Sequence, residues 1–292
     1  MTKDLEKIIG DSEYIILKNG EVIEGSTRSL SIDKDIALKL IHIIDNDTNM
    51  KLVIEEGKNV HLEEIFYDVK NDVTINSEIH CKKNASLEIL SFRKCLENSN
   101  ISVNANTYLY ENAYIESKNI TSFSSDVLFN QNIYLVEKGS KMESFDVVIG
   151  SCGNNQKFDF DTYHQVGDTY SNMKNFCISK NDSVIFMNTN GKIIKGASKS
   201  ELSQKTKGLI LDEFSQISAN PLLLIDEYDC LAGHGASIGA IDEEELYYLM
   251  SRGLTREDNE RLIVEGFVYP FIEGLKDEKV RSYCLGYIKN FL

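Results

Sequence analysis

The sequence contains no tryptophan, only 2 prolines among 292 residues, and far fewer basic than acidic side chains. Lys and Arg together number 31, against 46 for Asp and Glu, which gives a net charge of −15. Because nucleic acids and acidic membrane surfaces are bound through clustered Lys and Arg, this balance argues against both as partners. No apolar run approaches the ~18 residues of a membrane-spanning helix, and the candidate stretch Leu222–Ile225 ends at Asp226.

Two further absences bear on where the protein works. Residues 1–10 carry Asp4 and Glu6 and lack the apolar core of a secretory signal, so we expect a cytoplasmic protein with reduced thiols. None of the 6 cysteines belongs to a CxxC pair, the usual mark of a zinc or redox centre. We interpret them as small apolar residues, most of them buried: Cys81, Cys95, Cys152, Cys177, Cys230 and Cys284.

What the sequence does contain is a repeat. A turn residue, two small or polar positions and an apolar residue recur with steps of 27, 28 and 27, the apolar residues being Val60, Leu87, Ile115 and Met142. A further step of 28 reaches Tyr170. Gly and Asn, which tolerate left-handed backbone at a corner, begin the four units: Gly57, Asn84, Asn112 and Gly139. The constant period predicts stacked coils with these apolar positions in register.

Between the corners the segments alternate and are rich in β-branched and aromatic residues. Leu87–Phe92 and Phe145–Ile149 are examples, and both are typical of strands. A meander of hairpins would show tight turns at irregular spacing, so a solenoid fits the constant period better. An antiparallel sandwich with chance spacing remains the alternative.

The pattern changes at both ends of the chain. Asp242 and Glu245 can cap a helix that carries Leu246, Leu249 and Met250 and ends at Gly253. Thr255 and Asp258 start a second helix, with Leu262, Ile263 and Phe267, which we expect Pro270 to stop. A third apolar set runs from Val280 to Phe291, whereas the other end holds a short helix over residues 3–9 and a hairpin around Asn19-Gly20.

These features predict three parts of the chain. An N-terminal segment covers residues 1–50, the solenoid covers 51–232, and a C-terminal helical module covers 233–292. The apolar set of the module, with Leu246, Leu249, Met250, Leu262, Ile263 and Phe267, exceeds what two short helices need for themselves. Part of it is therefore predicted to meet another protein.

The stretch from His234 to Leu254, HGASIGAIDEEELYYLMSRGL, resembles the signature of the SufB/SufD proteins of iron-sulfur cluster assembly. The resemblance runs from about residue 50 to about 272 and is densest after Gly191; upstream it includes His164 and Gln204. It implies a mainly β protein, a right-handed parallel β-helix with helical ends. It also implies pairing of two such subunits, docking of the C-terminal helices on the ABC-type ATPase SufC, and a scaffold role without catalysis.

The chain departs from the SufB branch of that family at two positions. In the SufB proteins that this chain resembles, a cysteine follows the glutamine matched by Gln204, and this chain has Lys205 there. Those proteins also have a glutamate directly after the signature histidine, where this chain has Gly235. A thiolate and a carboxylate that could hold iron or sulfur are thus missing, and His234-Gly235 is the SufD form. The resemblance makes Gln204, Lys205, His234 and Gly235 the candidate interface, with His234 as a metal ligand shared with a partner subunit.

The resemblance therefore predicts an accessory scaffold that binds no stable cofactor alone and carries a transient iron-sulfur cluster in a complex. The partners would be a SufC-like ATPase and either a SufB-like paralogue or a second copy, the latter as the sole scaffold of a minimal system. A β-helix polysaccharide enzyme is a weaker alternative, based on the paired carboxylates Asp159 and Asp161. His164 and Cys177 are weighed as a ligand pair, but a structural role is favoured for both.

Overall fold

The computed structural model describes residues 3–10, 12–26, 29–95, 99–240 and 243–291. Most of the chain consists of strands of about ten residues, with helices at the two ends. The helices are α1 (Lys3–Ile9), α2 (Glu243–Ser251), α3 (Arg256–Gly274) and α4 (Glu278–Phe291). The strands are β1 (Tyr14–Lys18), β2 (Glu21–Gly25), β3 (Ser31–Ile32), β4 (Ile36–Ile44), β5 (Thr48–Ile54), β6 (Asn59–Val69), β7 (Val73–Cys81), β8 (Ser86–Cys95), β9 (Asn100–Leu109), β10 (Tyr114–Phe123), β11 (Asp126–Leu135), β12 (Lys141–Gly150), β13 (Asn155–His164), β14 (Tyr170–Ser179), β15 (Val184–Ile193), β16 (Ser200–Ile210), β17 (Gln216–Ile225) and β18 (Cys230–Ala240).

From β3 onward, successive strands alternate between two sheets. Sheet A has the order β18-β16-β14-β12-β10-β8-β6-β4-β1-β2, and sheet B has the order β17-β15-β13-β11-β9-β7-β5-β3. Apart from the β1–β2 hairpin, neighbouring strands run parallel. Each coil therefore contributes one strand to each sheet, and the predicted parallel β-helix with a small C-terminal helical part is confirmed.

The repeat positions stack as the spacing predicts. Val60 pairs with Leu87, Leu87 with Ile115 and Ile115 with Met142, and all four side chains are buried inside the coils. The prediction that the next step of the repeat falls on Tyr170 was wrong by one residue, because Met142 pairs with Ser171 and Tyr170 lies opposite Lys141. The coil between these strands is one residue longer, so the interior position moves to the small Ser171.

The corners also follow the prediction. Asn84, Asn112, Gly57 and Gly139 all have positive φ, between 54° and 74°. Glycine and asparagine are the residues that adopt this left-handed conformation with the smallest steric cost. The corner residues therefore determine where each coil turns.

The outer faces of the two sheets differ. Helices α2, α3 and α4 cover sheet A, where Phe92, Ile120 and Val147 share one apolar cluster with Val264 and Phe271. The outer face of sheet B bears ladders of polar side chains, such as Asn49–Asn76–Asn104–Asn130, joined by hydrogen bonds of 2.9 to 3.0 Å. None of the helices in the described ranges is long and apolar enough to cross a membrane.

Pro270 does not end the second helix of the module, as expected from the sequence, but lies inside α3. A proline inside a helix costs about 3 kcal/mol through its missing N–H and its ring. Val268, Phe271 and Ile272 are buried around it. Burial of side chains of this size stabilises by about 1.5–3 kcal/mol each, which outweighs the cost of the proline.

The start of that helix agrees with the sequence, since Thr255 and Asp258 form a reciprocal capping box. The proposed cap at Asp242 lies outside the described residues, as does the side chain of Glu245. The boundaries drawn from the sequence fall inside strands, residues 50 and 51 within β5 and residues 232 and 233 within β18. The stacked strands therefore continue beyond both boundaries, to β3 and β4 on one side and to the end of β18 on the other.

Candidate functional site

At the C-terminal side, each sheet ends in a strand that has no further neighbour within the described residues. β18 is the edge of sheet A and β17 is the edge of sheet B. Large apolar side chains of this last coil face solvent, with Leu231 exposed at 68%. Unpaired strand edges next to exposed apolar groups are a surface on which another chain can add. We call this surface the open end.

The register of β16 and β18 brings together the four interface residues inferred from the sequence. Gln204 pairs with His234, and Lys205 pairs with Gly235. Gln204 is buried and points into the coils, so its in-register neighbour His234 lies on the same inner side of the sheet. Lys205 is exposed and lies with Gly235 on the outer side. The two positions that depart from the SufB pattern are thus direct neighbours.

His234 has an exposed side chain at the open end. Cys230 is on the same strand and face, four residues away, and a span of about 13 Å separates positions so spaced on a strand. Among the residues that the structure describes, no group of three His, Cys, Asp or Glu side chains could hold a metal ion.

His164 and Cys177 do not form a ligand pair. Both ring nitrogens of His164 are occupied, Nδ1 at 2.7 Å from Thr169 Oγ1 and Nε2 at 2.8 Å from Ser171 Oγ. Burial lowers the pKa of His164 to about 4 and raises the pKa of the Cys177 thiol to about 12. A neutral imidazole bonded to two hydroxyls and a buried thiol are structural groups.

Sequence reasoning missed an ionic network inside the coils. Glu64 Oε1 lies 3.1 Å from His42 Nε2, while its other oxygen accepts from Ser91 Oγ at 2.6 Å and lies 3.4 Å from Arg93 Nη2. Burial opposes the ionised carboxylate, but the His42 hydrogen bond and the Arg93 charge outweigh it and lower the pKa of Glu64 to about 2. A cavity of about 60 Å³ adjoins these groups. The sequence did offer a signal for this network. In the strand alternation, Glu64 and Arg93 occupy positions that point into the coils, like the buried apolar residues two positions away.

The same interior row continues toward the open end. Glu64, Ser91, Asn119 and Asp146 occupy successive register positions of sheet A. Asn119 Nδ2 donates to Asp146 Oδ1 at 2.7 Å, but burial still raises the pKa of Asp146 above its usual value. This one interior row of sheet A is therefore polar over several coils.

The apolar residues predicted to dock a partner do not form one surface. Leu246 is only 1% exposed, and Ile263 and Phe267 pack against the solenoid, Phe267 with its ring 5.3 Å from that of Phe176. Met250 and Leu262 are exposed at 47% and 51%. The Leu249 side chain lies outside the described part of the chain. The sequence missed the exposed tyrosines beside them, Tyr247, Tyr248 and Tyr269.

The paired carboxylates considered for a polysaccharide enzyme belong to the polar ladders of sheet B. Asp159 Oδ1 accepts from Asn188 Nδ2 and Asp161 Oδ1 accepts from Asn190 Nδ2, both at 2.6 Å. Asp159 is also paired with Lys157 at 2.7 Å. Both carboxylates thus join adjacent coils on the outer face of sheet B.

Comparison with known proteins gives concordant matches. The family model described as SUF system FeS cluster assembly, SufBD core domain, matches residues 46–267. The iron-sulfur cluster assembly protein SufD of Bacillus subtilis (strain 168) is 34% identical over 164 residues, which are 56% of this chain and 38% of the relative. A SufBD family iron-sulfur cluster assembly protein of Staphylococcus aureus (strain MRSA252) is 28% identical over 234 residues, 78% of this chain and 50% of the relative. The chain thus spans half or less of the length of these relatives.

Proposed function

Since the chain belongs to the SufBD core family of the SUF iron-sulfur cluster assembly system, we propose that it is an accessory scaffold subunit of a SUF-type complex in the cytoplasm. In this role it gathers a transient cluster at a subunit interface and catalyses no reaction on a small substrate. It works with a SufC-like ABC ATPase and needs neither nucleic acid nor membrane.

The observation that carries this proposal is the open end. Two full-length strands, β17 and β18, leave unpaired edges there, and β18 holds His234. The partner that satisfies such an edge is a second solenoid whose last strand continues the sheet. We propose a SufB-like paralogue as this partner, which would supply the thiolate and carboxylate for which Lys205 and Gly235 provide no substitute.

The second candidate is a homodimer that acts as the sole scaffold. The β18 edge favours it because the outer side of the strand carries no side chain at Gly233, Gly235 and Gly239, where two copies can approach closely. Such a site would contain two His234 imidazoles and no cysteine from these positions. The two candidates therefore differ in the ligands that they offer to iron.

The experiment is anaerobic reconstitution with ferrous iron and sulfide, followed by absorbance and iron analysis. We expect no stable cluster on the isolated chain and a cluster on the complex with the paralogue and the ATPase. His234→Ala is expected to lower cluster yield in the complex without weakening subunit association, whereas His80→Ala on the outer face of sheet B is the matched control. A stoichiometric cluster on the isolated chain would exclude the accessory role.

For the ATPase, the exposed residues of the helical module define the test. We propose that Met250 and Leu262 contact the ATPase, together with the neighbouring tyrosines. Met250→Asp combined with Leu262→Asp is expected to abolish co-purification of the ATPase, while Leu128→Asp, on the outer face of sheet B and also exposed, is expected to leave it intact. Undiminished co-purification with the double variant would place the docking surface elsewhere.

A further inference from the structure

The charge of sheet A changes sign toward the open end. Its last three strands, β14, β16 and β18, carry three lysines and a single carboxylate, that of Glu201, whereas β6 alone carries three carboxylates and no lysine. The lysines are exposed and lie on the outer face of the sheet: Lys174, Lys205 and Lys207. In a chain with a net charge of −15, they form a distinct positive surface. We call this surface the lysine patch.

The lysine patch places like charges side by side. Lys174 of β14 and Lys205 of β16 are direct register partners, and like charges directly opposite each other destabilise a sheet. None of the three lysines forms an ion pair within the described part of the chain. Glu201 lies four residues from Lys205, about 13 Å along the strand, which exceeds the screening length of about 8 Å in physiological salt. A local cost of this kind is expected where another molecule compensates for it.

The strand between the lysine patch and the edge leaves the way to a partner open. The register continues from Lys205 to Gly235 and from Lys207 to Ser237 on β18. Gly235 has no side chain, and a Cβ placed there would meet nothing within 4 Å. A strand added at the β18 edge would lie two strand spacings, about 10 Å, from β16. An extended lysine and an extended glutamate together cover that distance, so the two can pair across β18.

We propose that the lysine patch recognises a partner chain whose strand at the β18 edge carries outward carboxylates. This partner is a different protein and not a second copy, because β18 contains no Asp or Glu and a second copy would bring another lysine patch to the same edge. Complementary charge speeds the encounter of two proteins, and like charge rejects the wrong partner. The proposal rests on the proposed assembly at the open end and adds which of the two candidate partners the edge selects.

The first measurement is thermal unfolding of the isolated chain. Lys205→Gln removes the like-charge pair with Lys174 and is expected to raise the melting temperature by about 1–2 °C at low salt. Lys141→Gln is the matched control, because Lys141 is exposed on the same face but pairs with Tyr114 and Tyr170, and it is expected to change nothing. An unchanged or lowered melting temperature for Lys205→Gln would show that the pair costs the isolated chain nothing, which would overturn the proposal.

The second measurement is the rate of association with the SufB-like paralogue at low and high salt. Lys205→Gln combined with Lys207→Gln is expected to slow association about tenfold at low salt and to have little effect at high salt, where the attraction is screened. Lys141→Gln is expected to behave like the wild type at both. Equal association rates for the double variant and the wild type at low salt would overturn the proposal.

Two other occupants of the lysine patch are distinguished by further readouts on the isolated chain. Inorganic phosphate at constant ionic strength is the probe for a small anion. Phosphate-specific stabilisation of the wild type that is lost in the double variant would overturn the proposal in favour of a phosphate site. Self-association of the isolated chain that the double variant weakens would overturn it in favour of a homodimer.

Iron analysis separates this inference from the proposed function. If association with the paralogue depends on the lysines but the complex assembles no cluster, the scaffold role is wrong and the recognition by the lysine patch stands. If the complex assembles a cluster and the double variant associates at the wild-type rate, the scaffold role stands and the recognition by charge is wrong.

Discussion

The two ends of the solenoid are finished in opposite ways. At the N-terminal end, β2 turns back antiparallel on β1, and the last strand of sheet B, β3, has only 2 residues. At the C-terminal end, β17 and β18 have 10 and 11 residues and no further neighbour in the part of the chain that the structure describes. Short edge strands offer little backbone for strand addition, whereas long unpaired edges offer a template for it. The difference indicates which end is available for a partner.

The N-terminal end of the solenoid, which we call the capped end, is also joined to the rest of the molecule by a buried lysine. Lys39 Nζ donates to Ile8 O at 2.7 Å and to Ile9 O at 3.0 Å, and it pairs with Asp277 Oδ2 at 2.5 Å. The carbonyls lie at the C-terminus of α1, where a cation is favourable, and Asp277 precedes α4. Lys39 thus joins α1 and the residue before α4 to strand β4, and the open end has no comparable connection among the described residues.

The largest expected difference between the ends is in apolar packing. Leu87 is fully buried in β8, far from the open end. Leu87→Ala is expected to lower the free energy of unfolding by roughly 2–5 kcal/mol, because apolar burial is lost and a cavity is left. Leu231→Ala at the open end is expected to change it by less than about 0.5 kcal/mol in the isolated chain. Urea denaturation of both variants checks this. Equal losses would mean that the open end is already covered in the isolated protein, for instance by self-association.

A second prediction concerns acid stability and the interior row near the capped end. The folded-state pKa of Glu64 is lowered from 4.5 to about 2, so its contribution to stability is complete above pH 4.5 and is lost as the pH falls toward 2. That contribution is about 3 kcal/mol, since one pKa unit corresponds to about 1.4 kcal/mol.

The measurement is the pH dependence of the unfolding free energy between pH 2 and 5. Glu64→Gln is expected to remove most of this dependence, and Glu21→Gln on exposed β2 serves as the control variant. A slope that survives in Glu64→Gln would show that other carboxylates are responsible for acid denaturation.

Asp146, further along the same row, is predicted to behave in the opposite sense. Because burial raises its folded-state pKa, its favourable contribution exists below its ordinary pKa of 3.8 and is lost as the pH rises through the raised value. Asp146→Asn is therefore expected to increase the free energy of unfolding at pH 7 and to leave it nearly unchanged at pH 3. Thermal unfolding at the two pH values tests this, and destabilisation at pH 7 would contradict it.

The smallest expected difference is in the polar ladder of sheet B. Asn76 both donates to Asn49 and accepts from Asn104, whereas Asn220, in the last strand, donates to Asn188 and Ser218 and has no further coil beyond it. Hydrogen bonds between partly exposed amides contribute little to stability. We therefore expect Asn76→Ala to lower the free energy of unfolding by roughly 1 kcal/mol and Asn220→Ala to lower it by roughly 0.5 kcal/mol. Equal melting temperatures for the two variants would show that a ladder asparagine in a central coil stabilises the protein no more than one in the last strand.

Some features could be predicted because they depend on local or periodic residue patterns. The spacing of Leu87 and Ile115 and the left-handed corners at Asn84 and Asn112 are properties of each coil, so the repeat reports them directly. The capping box of Thr255 is likewise local. The prediction that Pro270 ends its helix was wrong, because packing against sheet A stabilises the helix on both sides of the proline. Rules for helix ends that use sequence alone do not include such packing.

The candidate site was predictable only in part. The family resemblance singled out Gln204, Lys205, His234 and Gly235, but not that the first and third face inward and the second and fourth outward. The predicted docking surface likewise separated into buried Leu246 and exposed Met250 and Leu262 once α2 and α3 were placed on the solenoid. A helical apolar pattern identifies residues that avoid water and does not say which neighbour covers them.

The sequence by itself determined the coil, because period, corner residues and strand alternation act within about 30 residues and repeat along the chain. The tertiary structure decided what the stacking of coils brings together. The Glu64 network, the row leading to Asp146 and the Gln204–His234 neighbourhood each join residues about 30 positions apart. Parallel pairing places such residues about 4.8 Å from one another, and a shift of one residue, as at Tyr170, moves a side chain from the inside to the outside.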